Sequence, residues 1–409
     1  MGDILMTRYS ALLILVLNAA TVLPTPTIAA GAGSVAHSVP AYKHTQTLVA
    51  SADLTDKNYV AFPSVSRLSE TELLIGYKRG YAHYLDREAD FELMRFNPVT
   101  RQVTAAKHLL HKPDVNLQNG EFVTFPNGDI ACYLDVQAPG GSGKKQTVRL
   151  GLVEFRSTDG GQTFREVGNL GVIDGIEYGY AFEAATQGRT TWMLVMTFSN
   201  LAGGKSITAS RPAAGSVNVI RTENNGKEWH CVKDLTREFG HNPINESSLL
   251  PYGDGFIVTT RGYNNRQWLQ RTDRQFKLQH QVDLTAEYPQ ISSYLARPRL
   301  FARDGSFYVM GRNYTAPASS QPALAAKAGE PKSPPMRLGL FRFDPDSLAL
   351  TRHVILDNAE GGQVADGYYA VPYWQERGGR TYFNVITYKR LGARPPDILR
   401  LEFEWDEVR

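Results

Sequence analysis

Two types of β-hairpin alternate along nearly the whole chain, and this alternation limits the fold more than any other feature. The first type is an apolar strand, a turn marked by Gly, Asp or Asn, and a second apolar strand, recurring at 62–79, 121–135, 183–199, 246–261, 297–312 and 369–388. The second is a strand that passes through a polar turn into another strand, at 92–98, 152–164, 218–229, 268–276, 338–345 and 398–405. The period is about sixty residues, and helical periodicity is nearly absent. Four-stranded antiparallel units set radially leave only short, protected edges. The sequence therefore predicts an all-β fold, a six-bladed β-propeller. Two stacked sandwiches would supply as many strands without explaining the alternation.

Residues 1–30 stand apart from this pattern. Arg8 precedes the apolar run Ala11 to Leu17, and Thr27-Ile28-Ala29-Ala30 offers small residues for cleavage. The run is too short to span a bilayer, so it reads as a secretory signal, with 31–409 as a single propeller domain and a secreted or periplasmic product. A stretch at about 315–336, rich in Ala, Pro, Ser and Lys, reads as a loop inserted in the fifth blade. With a formal charge of +3, 21% charged residues and no basic run, nothing points to nucleic acid or to a membrane surface. The expected product is a monomer. Cys132 and Cys231 match no zinc spacing; an oxidising compartment permits a bridge, and two separate buried thiols are the preferred reading.

In the hairpin 245–261 the strands run antiparallel, so Glu246 at the start and Arg261 at the close sit side by side on one rim. The other hairpins carry polar rim residues too. Arg79 closes the first, Glu121 and Glu183 open the second and third, and Arg297 and Arg312 open and close the fifth. A structural ion pair gives the same pattern, so the rim alone assigns no chemistry.

Ser157-Thr158-Asp159-Gly160-Gly161-Gln162-Thr163-Phe164 resembles an Asp-box, the turn between outer strands in sialidases and their relatives, and 222–229 resembles a second copy with Asn224 in the aspartate place. The chain as a whole resembles the sialidase superfamily. On that resemblance Glu246 and Arg261 match the family's glutamate and one arginine of its carboxylate-binding triad, and Arg337 matches another. Tyr369, in Asp366-Gly367-Tyr368-Tyr369-Ala370, matches the nucleophile, and Asp86, a few residues after Arg79, matches the general acid. Two departures stand out: Ala61 occupies the place of the first triad arginine, and Tyr388 stands near a glutamate expected late in the last blade.

The resemblance implies an exo-glycosidase acting on an acidic glycan, sialic acid or a related sugar, without cofactor or metal. Tyr369 would attack, Glu246 would take its proton, Asp86 would protonate the leaving oxygen, and Arg79, Arg261 and Arg337 would hold the carboxylate. Arg297 and Arg312, which the family pattern does not require, are expected to face the same pocket from the two ends of the fifth hairpin and to bind substrate. A neutral phenol suits an anomeric carbon whose own carboxylate repels an anionic nucleophile. Two rivals stay open at this stage. One is a propeller lyase acting on uronic-acid polymers through His83 or Tyr369, and the other a glycan-binding propeller without turnover.

Overall fold

The computed structural model describes residues 37–104, 108–140, 148–197, 215–240, 244–262, 264, 266–292, 295–314, 336–357 and 364–409. The expected signal segment, and all but the last residue of the expected insertion, lie outside them.

Hydrogen-bonded strands form six main sheets, each ordered from an inner strand outward. The inner strands are Tyr59–Ser69, Asn116–Thr124, Tyr180–Gln187, Ile244–Tyr252, Ala296–Arg303 and Val371–Arg377, in blades 1 to 6. The protein is a six-bladed β-propeller, as the hairpin alternation predicts. Blade 1 has a broken outer edge, where Gln102–Val103 and His108–Leu110 both pair with Ala89–Asn97.

One expectation about the blades is corrected. The stretch 398–405 does not lead into a fourth strand of the sixth blade, because Asp397–Glu404 runs into the short helix Trp405–Val408. The outermost strand of that blade is His44–Val49, paired antiparallel with Asp397–Glu404 from Glu402 to Ile398. The two ends of the domain thus share one sheet, which closes the ring and covers an edge that would otherwise be open. Ser51, two residues after Val49, is tied to the same blade: it donates from its amide and hydroxyl to Asp397, both at 2.8 Å.

Each blade is buried on both faces, which explains why its strands read as continuous apolar runs. The core divides into six clusters, each drawn chiefly from two neighbouring blades. Strand alternation sorts the side chains: in Gly255–Gly262, Phe256 and Val258 face blade 3 while Ile257 faces blade 5. The stretches resembling Asp-boxes form turns between third and outer strands. Asp159 accepts from the amides of Gln162 and Thr163 at 2.9 Å, and Asn224 accepts from the amide of Glu228 at 3.0 Å. Cys132 is buried and Cys231 partly so, and both are free thiols.

The inner strands of blades 1 to 5 share one irregularity. In each, the pairing register with the second strand slips near the strand's start: between Ala61 and Ser64, Leu117 and Gly120, Ala181 and Glu183, Ile244 and Ser247, and Ala296 and Arg299. A bulge leaves a residue unpaired and re-aims its side chain. Phe62 and Arg297, both inside such slips, take φ of 55° and 45°, and Tyr368, just before the inner strand of blade 6, takes 67°. Left-handed backbone at non-glycine residues costs energy and is retained where the surrounding structure fixes it. Here it surrounds the centre of the ring.

Candidate active site

Glu246 lies within the blade 4 slip and is 3% exposed. One carboxylate oxygen accepts from the hydroxyls of Tyr369 and, at 3.4 Å, Tyr180. The other accepts from the Arg261 guanidinium and, at 3.0 Å, from the Arg297 amide. Burial alone would raise this carboxyl. The Arg261 charge, the Tyr369 hydroxyl and the Arg297 charge and amide outweigh it and hold the group below its ordinary value. Glu246 is therefore an anion near neutrality, hydrogen-bonded to a phenol.

Tyr369 reaches this carboxylate because its neighbour turns the chain. The Tyr368 amide donates to the Tyr388 carbonyl at 2.9 Å, and the Tyr368 hydroxyl, buried in the core, donates to Asp357 at 2.8 Å. The next side chain then points inward. The Arg312 guanidinium lies 4.8 Å from the Tyr369 ring centroid and donates to the Gly367 carbonyl at 2.6 Å, the Tyr388 hydroxyl at 2.9 Å and Asp366 at 3.2 Å. Asp366 also accepts from Tyr59 and from Tyr388 (2.8 Å), and its second oxygen meets His83 Nδ1 at 2.6 Å. Burial would raise Asp366, but His83, Arg312 and the Tyr59 hydroxyl hold it well below the usual carboxylate range.

Beneath these groups lies a second charged layer. Arg297 donates to Glu121 at 2.8 Å and to the Ala181 carbonyl at 3.2 Å. Arg299, two residues on, donates to both oxygens of Glu121 at 3.1 and 2.8 Å and meets Glu183 at 3.1 Å. Arg299 thus joins blades 2, 3 and 5 across the axis with its charge satisfied. Glu121 and Glu183, read from sequence as rim groups, serve as its counterions.

The structure brings Glu246, Tyr369, Arg261, Arg297 and Arg312 together and leaves three predicted residues elsewhere. Arg79 donates to Glu92 at 2.7 Å and to the Asp56 carbonyl at 3.3 Å. The residue equivalent to Arg312 in register is its neighbour Lys78, fully buried and paired with Ala61 as Arg312 is paired with Ala296. Arg337 pairs with Asn313, the residue after Arg312, so strand alternation places it on the face opposite Arg312. Asp86 is 1% exposed and forms a 3.0 Å ion pair with Lys78. It accepts from the amides of Tyr81 (3.0 Å) and Ala82 (3.1 Å), which makes it the knot of the loop between the second and third strands of blade 1 rather than a pocket group. The sequence reading did not single out Lys78, Asp366 or Tyr180. Asp366 sits three residues before Tyr369, so a search for carboxylates flanking the candidate nucleophile would have found it.

Fold and pocket together define a six-bladed propeller with a tyrosine–carboxylate pair at its centre. No protein-family model matches the chain, and no curated protein matches its sequence. Solved structures match it in fold. A Dyadobacter fermentans protein of unknown function has a TM-score of 0.63 at 14% identity, with 89% of this chain and 98% of that one covered. The K499G mutant of the NanB sialidase from Streptococcus pneumoniae has a TM-score of 0.60 at 9% identity, covering 89% of this chain and 71% of the sialidase. The alpha-L-arabinanase of Penicillium chrysogenum, complexed with arabinobiose, has a TM-score of 0.54 at 12% identity, covering 90% and 100%. At these identities the likeness is one of fold.

Proposed function

We propose that this protein is a glycoside hydrolase in which Tyr369 attacks the anomeric carbon and Glu246 takes its proton. The observation that carries the reading is the hydrogen bond from the Tyr369 hydroxyl to a buried, ionised Glu246. An unperturbed phenol titrates near pH ~10 and is a poor nucleophile at neutrality unless a base receives its proton. The carboxylate is that base, and Arg261 and the Arg297 amide keep it charged. Two propellers that share the fold are a sialidase and an arabinanase, which agrees with a carbohydrate substrate.

The finer reading is an acidic sugar. A phenol in place of a carboxylate nucleophile has its advantage where the anomeric carbon carries an anionic group. Arg312, beside the Tyr369 ring, and Arg261, on the Glu246 carboxylate that Tyr369 also meets, are the guanidiniums we assign to that carboxylate. The clamp is smaller than in sialidases, with Ala61 in the place of the first arginine, so a different 2-keto sugar acid is a substrate to include. Residues 1–30, taken as a secretory signal, would place the enzyme outside the cytoplasm.

Hydrolysis of a panel of fluorogenic α-sialosides, uronides and arabinosides by the parent and by Tyr369→Phe tests this. The expected result is release from an acidic glycoside that falls about 10²–10⁴-fold in the variant. Undiminished turnover by Tyr369→Phe removes the mechanism. An unsaturated product absorbing in the ultraviolet would show a lyase instead.

A further inference from the structure

The hydrolase reading needs a proton donor for the leaving oxygen, and the carboxylate that sequence assigns to this task is unavailable. Asp86 is sealed within the loop between the second and third strands of blade 1, its oxygens taken by Lys78 and by backbone amides. The same arrangement, however, builds a support for another group. The Lys78 ammonium donates to the carbonyl of Ala82 at 2.5 Å and to that of His83 at 3.3 Å. Lys78 and Asp86 thus hold the loop from both its carbonyls and its amides, and His83 stands at its tip.

The His83 side chain is 37% exposed, whereas its partner Asp366 is 10% exposed. Asp366 meets Nδ1 at 2.6 Å, which fixes the ring and leaves Nε2 as the free nitrogen. The groups facing this pair are the Tyr59 hydroxyl, 3.3 Å from Nδ1, and, on the far side of the carboxylate, Arg312 and Tyr388. The Phe62 ring, aimed by its positive φ, has His83 on one side at 4.9 Å between centroids and Tyr369 on another at 5.2 Å. A partly exposed imidazole and the candidate nucleophile thus pack against the same Phe62 ring, each hydrogen-bonded to its own buried carboxylate.

We infer that His83, oriented by Asp366, is the acid and base of the reaction; this rests on the hydrolase reading of the same site. In the first step the Tyr369 oxygen bonds to the anomeric carbon and its proton passes to Glu246. The glycosidic carbon–oxygen bond breaks, and the leaving oxygen takes the Nε2 proton of the His83 imidazolium to depart as an alcohol. In the second step the neutral imidazole takes a proton from water as the water oxygen attacks the anomeric carbon. The bond to Tyr369 breaks, and Glu246 returns the proton to the phenolate. Atoms and charges balance, and both residues end as they began. Asp86 and Lys78 act only through the loop, as positioning residues.

The test compares one glycon carrying a dinitrophenyl leaving group with the same glycon carrying a methyl group, using the parent, His83→Asn, Asp86→Asn and Tyr369→Phe. Values of kcat/KM report the first step alone. A strongly acidic phenol departs without protonation, whereas methanol does not. The expected result is that His83→Asn loses about 10²–10⁴-fold on the methyl glycoside and less than about tenfold on the dinitrophenyl one. Tyr369→Phe loses both, and Asp86→Asn loses both to the same degree. Thermal unfolding of His83→Asn at the parent's temperature shows that the loss is chemical. Equal losses by His83→Asn on the two substrates, or a selective loss on the methyl glycoside by Asp86→Asn, overturn the assignment and leave the hydrolase reading standing. Inactivity of the parent on both substrates and on the wider glycoside panel overturns both.

Discussion

Replacing Glu246 by glutamine probes the centre of the site in a way that does not depend on knowing the substrate. All four partners of the carboxylate are donors: the hydroxyls of Tyr369 and Tyr180, the Arg261 guanidinium and the Arg297 amide. An amide offers one oxygen and one NH2 group, so the NH2 finds an acceptor only if a phenol turns round, and two opposing donors are avoided only if both do. The guanidinium keeps its charge at 5% exposure and loses the anion beside it. Breaking a buried pair by removing one member costs about 3–5 kcal/mol. The domain spans Ser34–Arg409, and about 375 residues at about 2.1 cal/mol/K each give an unfolding entropy near 0.8 kcal/mol/K, so Tm should fall by about 4–6 °C. The pH dependence has a definite sign. The folded carboxyl lies below its ordinary value, so Glu246 contributes stability that is fully present above the unfolded value of about 4.3 and is lost as pH falls through the folded value. Scanning calorimetry of parent and variant between about pH 3.5 and 7, from below to above the unfolded value, should show the Tm gap largest at pH 7 and narrowing toward acid. A gap that is absent at pH 7, or that widens on acidification, would refute the view that Glu246 is a buried anion, and the base in the proposed reaction with it.

Two further perturbations test the frame around the site. Arg299→Met leaves Glu121 and Glu183 without the guanidinium that both of them face, and should cost about 3–5 kcal/mol in a urea titration; an unchanged midpoint would mean that this layer is not ionised. Deleting residues 1–49 removes the outermost strand of blade 6 and bares the edge Asp397–Glu404, which carries the buried Leu401 and Phe403. The truncated protein should elute as oligomers or aggregate, and a stable monomer with the parent's Tm would show that the closing strand is dispensable.

The amino-acid sequence by itself determined the architecture. Strands buried on both faces must be apolar along their length, and their turns must carry Gly, Asp or Asn, so alternating hairpins are visible without any contact being known. It also determined the pairing of Glu246 with Arg261, because a hairpin is a local object whose ends meet whatever the rest of the chain does. Tertiary structure alone decided which residues face the pocket. The slips between Ala61 and Ser64 and between Ala296 and Arg299 change which side chains point inward, and a shift of one residue exchanges the two faces of a strand. Lys78, not Arg79, accordingly takes the register position equivalent to Arg312, and Arg312 lies over Tyr369 while Arg337 turns to the opposite face. Ring closure, the Arg299 layer and the contact of His83 with Asp366 join residues more than a hundred, and up to some 350, positions apart. Such partners have no local signature, because what brings them together is the closing of the propeller itself.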